Sequence, residues 1–398
     1  MTTYDWIVVG NGLAGAALSY ELARQGFSVL VLEQHRQPSS ATRYSYGGIP
    51  YWSGTTAITR QLCLEGIERH RILSSELDRD TQFRELDLLL TIPKGEDPAV
   101  IAPRYEKFAI PPQLVSAAAA HDLEPKLNPD AIEGALTVRH GHVHPSALTT
   151  AYNHALLQLG GTIQIAAVAD LVRVGDRITG VVAEGQPYRA GKVAIANGAA
   201  SRSLLKTCGI PVPLYYSHAE LIETPPVDFQ IRCLLMSASL KRSDLESQAS
   251  RPEIDQLWDQ PGHEVAPPIL DAGVIQFQDN SLRMGQISRA LTSLEPHVNA
   301  AQSQADLRTA NSALIPALNG VPGAWSRCLV SFTRDGLPLV GPLGGIEGIH
   351  IFSGFTSPFA LLPPIATRFA QWLGGKSDPI IEQMRPDRFT HQFEKSGD

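Results

Sequence analysis

The stretch YDWIVVGNGLAGAALSYELARQGFSVLVLE, Tyr4 to Glu33, constrains the fold of this chain more than any other. Ile7, Val8 and Val9 run straight into Gly10 without polar alternation, as a parallel strand buried on both faces does. Gly10, Gly12 and Gly15 then follow at the spacing of a strand-to-helix turn. The first permits the turn, the second lets backbone approach a diphosphate, and the third lets the helix pack closely on the strand. Ala14, Leu18 and Leu22 share one face of that helix, which predicts an apolar side to bury. Gly26 stops the helix, and SVLVLE reads as a second buried strand. Glu33 comes 23 residues after Gly10, where a carboxylate accepts hydrogen bonds from an adenosine ribose and repels a 2′-phosphate. The N–H groups and partial positive charge of the helix N-terminus suit a diphosphate. A dinucleotide fold is predicted, with FAD and NAD both open.

At 398 residues the chain exceeds the roughly 250 to 300 that one core serves, so two cores are expected. A composition of 43% hydrophobic and 18% charged residues is that of a globular protein, not a disordered or fibrous one. The formal charge of -7 is spread without acidic or basic blocks, so nucleic acid is not an expected partner. Cys63, Cys208, Cys233 and Cys328 lie far apart and form no C-x-x-C pair. Neither a zinc site nor a disulfide framework is indicated, and a reducing compartment fits. Strand-forming residues begin at Tyr4, leaving no room for a secretory signal, so a cytoplasmic location is expected. Prolines and Arg368 interrupt IHIFSGFTSPFALLPPIATRFAQWL, so no membrane span is expected.

Further along, SSATRYSYGGIPYWSG, from Ser39 to Gly54, is a polar loop able to fold over a cofactor, and RQLCLEGIERHRILSSEL has a helical pattern. FRELDLLLTIP reads as a strand, HPSALTTAYNHALLQLGG as a helix, and residues 162–199 as short strands with a hairpin turning at Gly175-Asp176. Residues from about Pro213 to Pro322 are richer in prolines and isolated strands such as LRMGQIS. The last stretch returns to tight apolar turns, RDGLPLVGPLGGIEGIHIFSGF, and a helix from about Pro364 to Leu373.

Taken together, the first thirty residues, HPSALTTAYNHALLQLGG, KVAIANGA, TRDGLPLVGP and the terminal strand, glycine turn and helix resemble the FAD-dependent D-amino-acid oxidase family, which includes glycine oxidase and monomeric sarcosine oxidase. The resemblance implies an α/β chain, α+β overall: a Rossmann-type FAD-binding domain (1–85, 145–212 and 323–398) with an inserted mixed or antiparallel-sheet substrate domain (86–144 and 213–322). It implies FAD held by Gly10, Gly12, Leu13, Ala14, Gly15, Glu33, Gln34, Thr42, Arg43, Val168, Ala196, Asn197, Gly198, Asp335, Gly354, Phe355 and Thr356. Thr333, Asp335, Gly336 and Pro338 would form the turn that returns the chain to the flavin. Amides of Gly354, Phe355 and Thr356 would stabilise negative charge there. Arg43 follows Thr42 in a pair that lies beside the flavin in sarcosine oxidase. Arg283, in LRMG, takes the place of the sarcosine oxidase lysine that promotes reaction with oxygen, and a cation there favours superoxide.

The departures bear on the substrate. Positions that grip the substrate carboxylate in sarcosine oxidase fall on Tyr46 and Leu361, and the arginine usual five residues before the turn aspartate is Val330. None of these can pair with a carboxylate, so a small amino acid cannot be held in the family's usual way. Arg283, Arg289 or Arg327 would have to substitute. Arg283, Arg43 and Tyr46 are the candidate catalytic residues. Cys328 sits seven residues before Asp335, the spacing of the thioether to flavin in sarcosine oxidase, but a lone cysteine is also a small buried hydrophobe, and non-covalent FAD is expected. His140, His142 and His144 have strand spacing on one face, yet Gly141 suggests a turn and no carboxylate is adjacent, so no metal is assigned. His218 and Tyr215-Tyr216 could line the substrate site or pack beneath it. The expected reaction is hydride transfer from a carbon bearing an amine, hydrolysis of the imine, and reoxidation by oxygen giving hydrogen peroxide. The alternatives are a flavin dehydrogenase of an amine or 2-hydroxy acid with a non-oxygen acceptor, and a flavin-binding protein without turnover.

Overall fold

The computed structural model describes residues 3–36 and 40–389. Ser39, where the polar loop was expected to begin, and both extreme ends of the expected FAD-binding segments lie outside the described residues.

Two sheets organise the chain. In the first, Tyr4–Val9 lies between Val29–Glu33 and Gln186–Ile195, all parallel. Thr162–Ile165 extends it beyond Val29–Glu33, and Ile349–Ser353 extends it beyond Gln186–Ile195, both again parallel. Leu339–Pro342 closes that edge antiparallel. Val168–Val174 and Arg177–Ala183 form a ribbon with the outer half of Gln186–Ile195, and the hairpin between them turns at Gly175. The helices Leu13–Arg24, Ala57–Glu76, Pro145–Gln158 and Pro358–Leu373 cover one face around a single apolar cluster. This is the parallel-sheet, Rossmann-type arrangement the glycine turn demands.

The helix Leu13–Arg24 is buried nearly all round, where the sequence pattern predicts one apolar face. The difference lies in its partners: Thr367 and Arg69 reach Glu21, which keeps its carboxylate satisfied at 2% exposure. The last helix begins at Pro358, six residues before the expected start, with Pro363 and Pro364 inside it. Pro363 supplies no N–H for the carbonyl of Phe359. His70 Nε2 donates to that carbonyl instead, at 2.6 Å. Gly66 gives the carbonyl of Ala360 room, since a Cβ there would lie 1.9 Å from it. A neighbouring helix thus fills the break that the prolines open.

The second sheet runs Ala324–Phe332, Tyr215–Glu223, Leu282–Leu291, Glu264–Gln276, Leu234–Ser237, Arg84–Pro93, Ile132–His142, Gly48–Ile49, with Gln113–Ser116 paired on Ile132–His142. Every pair is antiparallel except Leu234–Ser237 with Arg84–Pro93. Two sequence boundaries need correction. The strand Ala324–Phe332 belongs to this sheet, not to the cofactor sheet, because it pairs along its whole length with Tyr215–Glu223. The strand Ile132–His142 continues through Gly141, whose missing Cβ makes room for Ile49 and Ile67 where a turn was expected. The chain therefore passes repeatedly between the sheets, and the segments 42–48 and 333–339 are two of the crossings.

Candidate functional site

The glycine turn has the stereochemistry of a cradle. Gly10 has φ +98°, and a Cβ there would meet Asn197 Cα at 2.8 Å; a Cβ on Gly15 would lie 1.8 Å from the Gly10 carbonyl. A Cβ on Gly12 would crowd two hydroxyls, Thr42 Oγ1 at 3.3 Å and Ser40 Oγ at 3.8 Å. The first-turn N–H groups of Leu13–Arg24 have no carbonyl of their own helix to bond. Leu13 gives its N–H to Thr42 Oγ1 at 3.0 Å, and Ala14 and Gly15 follow in the same turn. Backbone donors, a hydroxyl rim and a glycine that adds no side chain to it fit a diphosphate.

At the far end of Val29–Glu33 the Glu33 carboxylate is held by two backbone donors, Asn11 N at 2.7 Å and His35 N at 3.1 Å. Each oxygen keeps lone-pair capacity for a ribose hydroxyl. Gln34 is exposed beside it, and the Ala166 N–H bonds the Glu33 carbonyl, bringing Val168 to the same edge. The adjoining strand ends at Ile195; the next residue, Ala196, bonds its N–H to the Val9 carbonyl, and Asn197 and Gly198 follow against the glycine turn. Ser201 Oγ bonds Asn197 Oδ1 at 2.7 Å, and Ser353 Oγ bonds the Gly198 carbonyl at 3.1 Å.

Asp335 stands in the expected turn. Its carboxylate takes Arg388 Nε and Nη2 at 2.8 and 3.0 Å and the Thr333 hydroxyl at 3.1 Å. Burial would raise its pKa, but Arg388 holds it below the usual carboxylate range. Asp335 is therefore occupied in fixing the turn, and the sequence reading missed Arg388. Gly354 has φ +85°, with Thr333 packed against it; Phe355 is buried on Phe352; Thr356 Oγ1 bonds the Gly336 carbonyl at 3.4 Å.

The crossing from Thr42 to Tyr46 leads from the glycine turn to the second sheet, and the three candidate catalytic residues meet there. Arg43 Nη1 lies 2.5 Å from Glu223 Oε1, and Arg283 Nε lies 3.1 Å from the same oxygen. Arg283 Nη1 also donates to the Ser45 carbonyl, and its guanidinium sits 4.5 Å over the Phe277 ring. Burial depresses its pKa, Glu223 opposes that, and the group remains a guanidinium at 3% exposure. Tyr46 Oη bonds the Gly273 carbonyl at 3.2 Å, and burial pushes its phenol up, so it stays neutral. His144 caps Pro145–Gln158 through Ala147 N and packs on Phe277; burial first, then Arg283, lowers its pKa. Glu223 and Phe277 escaped the sequence reading. The only signal for Glu223 was a charge ending the strand YYSHAELIE, legible once its register with Arg283 is known.

Strand alternation divides the remaining candidates. Arg289 is tied to buried Glu220 at 2.6 Å, and Arg327 bonds the Pro296 carbonyl; both lie on the opposite face from Glu223, as does His218. Neither arginine reaches the Arg43, Glu223 and Arg283 cluster. Leu361 is buried in the helix-side core. Val330 stands opposite Ser217, whose Oγ is buried with no partner among the described residues. Cys328 shares that face at 6% exposure, and burial pushes its thiol up to about 12. Tyr215 and Tyr216 pack with Trp258. The histidines separate: His140 Nδ1 accepts from Trp52 at 3.0 Å, His142 Nδ1 from Arg84 at 3.3 Å, and His144 leaves the strand to cap a helix. Among the described residues no metal-binding cluster forms, and no helix is long and apolar enough to cross a membrane.

Residues 5–372 match the family described as FAD dependent oxidoreductase, DAO. The chain is 23% identical over 378 residues to 4-methylaminobutanoate oxidase (formaldehyde-forming) of Paenarthrobacter nicotinovorans, covering 92% of this chain and 43% of that protein. The chain thus spans under half the length of that relative. Among solved structures, glycine oxidase from Geobacillus kaustophilus superposes with a TM-score of 0.79 at 20% identity, over 97% of this chain and 99% of that one. L-Proline dehydrogenase from P. horikoshii gives 0.77 at 19% identity, over 98% of each chain. At these identities the structures speak for the fold.

Proposed function

Because the chain belongs to the FAD-dependent oxidoreductase (DAO) family, we propose that it oxidises an amine or amino acid and that molecular oxygen returns the cofactor to its oxidised state with release of hydrogen peroxide. The observation that carries this reading is the five-residue crossing Thr42–Tyr46, which joins the glycine turn to the cluster of Arg43, Arg283 and Tyr46. The chemistry that FAD supplies when bound is acceptance of a hydride from the carbon bearing nitrogen, after which the imine product hydrolyses in water.

The residues of the chain orient and exclude. Gly10 to Gly15 and Thr42 hold the diphosphate, and Glu33 the ribose. The turn 333–337 and residues 354–356 bring backbone donors to the ring end. Substrate lies between Tyr46 of the crossing and the sheet face carrying Ser217, Val330 and Glu223. The unpartnered Ser217 hydroxyl offers a hydrogen bond and Tyr46, whose proton goes to the Gly273 carbonyl, offers only a lone pair, whereas Arg43 and Arg283 are engaged with Glu223. Glu223 already compensates both guanidiniums, which weakens their pull on a substrate carboxylate and favours amines over small amino acids. A second reading, a dehydrogenase passing electrons to another acceptor, draws support from Glu223 offsetting part of the local positive charge.

The test is anaerobic mixing of the FAD-loaded protein with alkylated amines, sarcosine, glycine, proline and D-amino acids while the flavin absorbance is followed. Bleaching by an amine supports the reading, and oxygen uptake with peroxide on admitting air distinguishes oxidase from dehydrogenase. Flavin left oxidised by the whole panel would refute amine oxidation.

A further inference from the structure

We propose that Glu223 is a positioning residue that sets the charge at the reacting end of the cofactor, fixing Arg43 and Arg283 and cancelling one of their two positive charges. This rests on the reading of the Arg43 and Arg283 cleft as the place where flavin and substrate meet. One carboxylate oxygen serves both arginines, at 2.5 and 3.1 Å. The Glu223 side chain keeps 21% exposure while that of Arg283 keeps 4%. Arg283 is immobilised from three sides, by Glu223, by the Ser45 carbonyl and by the face of Phe277. Arg43 has Glu223 as its ionic partner and lies over Tyr44. Neighbouring His144 is held neutral and adds no charge at neutral pH.

The cluster therefore presents one net positive charge, screened least at buried Arg283 and most at Arg43, whose side chain is 40% exposed. Oxygen takes two electrons and two protons to become hydrogen peroxide, and the first electron makes an anion that a positive site favours. An unopposed pair of guanidiniums would favour it more. Glu223 thus holds oxygen reactivity below what its two arginines would otherwise confer, while keeping them from reaching a substrate carboxylate.

Sulfite, an anion that adds to oxidised flavin and bleaches it, reports that charge without any turnover. FAD-loaded wild type, Glu223→Asp, Glu223→Gln and Arg43→Gln would be titrated with it. Glu223→Gln is expected to bind sulfite about tenfold more tightly and Arg43→Gln about tenfold more weakly, the scale of one charge at close range in a partly buried site. Glu223→Asp should stay near wild type, and reduced Glu223→Gln should reoxidise faster in air. Mere loosening of the structure would move both charge variants the same way, and that result would overturn the proposal. A change in Arg43→Gln with none in Glu223→Gln would overturn it while leaving the cleft as the flavin site. No change in any variant would place the flavin elsewhere and overturn the reading beneath it as well.

Discussion

Replacing Gly15 with alanine puts the cradle to a quantitative test. The new Cβ would begin 1.8 Å from the Gly10 carbonyl oxygen and 3.5 Å from Val8 Cγ1. Carbon and oxygen in contact sit about 3.3 Å apart, so the helix start must withdraw by roughly 1.5 Å. Alanine returns about 1 kcal/mol of helix propensity, against overpacking of about 1 to 3 kcal/mol. The apoprotein should thus lose at most about 2 kcal/mol. The cofactor suffers more, because the displaced amides are the ones that would face the diphosphate, and loss of hydrogen bonds to a charged group, about 1.5 to 3 kcal/mol, weakens binding by up to about a hundredfold. Flavin fluorescence titration of apoprotein should show FAD binding weakened about a hundredfold, with urea unfolding reporting the small stability change. Gly26→Ala is the control. Gly26 has φ +87° with no atom within 4 Å of a Cβ, so it should cost about 1 to 2 kcal/mol of stability and leave FAD affinity alone. FAD affinity of Gly15→Ala within about threefold of wild type would refute the reasoning.

Three further outcomes are expected. His70→Leu strips the Phe359 carbonyl of its donor and should cost about 1 to 3 kcal/mol in urea unfolding; an unchanged midpoint would mean the proline break needs no partner. Burial lowers the pKa of His70 and His218 to about 4 and of His140 and His350 to about 3. These folded values lie below the unfolded value of about 6.5. The unfolded chain therefore takes up the protons first, so stability is full above that pH and falls as pH drops towards 4, by about 1 kcal/mol per pH unit for each histidine. Denaturation midpoints at pH 7 and pH 5 check it, and equal values would refute it. Acid precipitation of the FAD-loaded protein should leave yellow supernatant, since the Cys328 thiol is buried and protonated; yellow pellet would mean a thioether.

What the sequence discloses is what local stereochemistry enforces. Gly10, Gly12 and Gly15 are legible because the turn admits few alternatives, and Glu33 because a strand of fixed length delivers it. The strand register is not local, so Glu223 could not be assigned to Arg283, nor Ala324–Phe332 to the second sheet. The same limit hid Arg388, which reaches back across 53 residues to Asp335. The two prolines misplaced a helix start because the compensating donor, His70, lies on another helix. Arg289 and Arg327 illustrate the converse error: their side of the sheet follows only from pairing, and it points them away from the cleft.

The repeated passage of the chain between its two sheets shapes how the molecule can be made and unmade. Strands at 4–33, 162–195 and 339–353 build one sheet, and those at 48–142, 215–291 and 324–332 build the other. Neither sheet can close until segments far apart in sequence have met, and each closure must meet its loop entropy before contacts compensate. Acquisition of structure is accordingly slow, and an emerging polypeptide has no finished half to shelter while the remainder is synthesised. A protease cut in an exposed connection between residues 49 and 324 leaves fragments that each carry pieces of both sheets, so nicking there should destroy the particle or leave its parts noncovalently joined, never release a nucleotide-binding half.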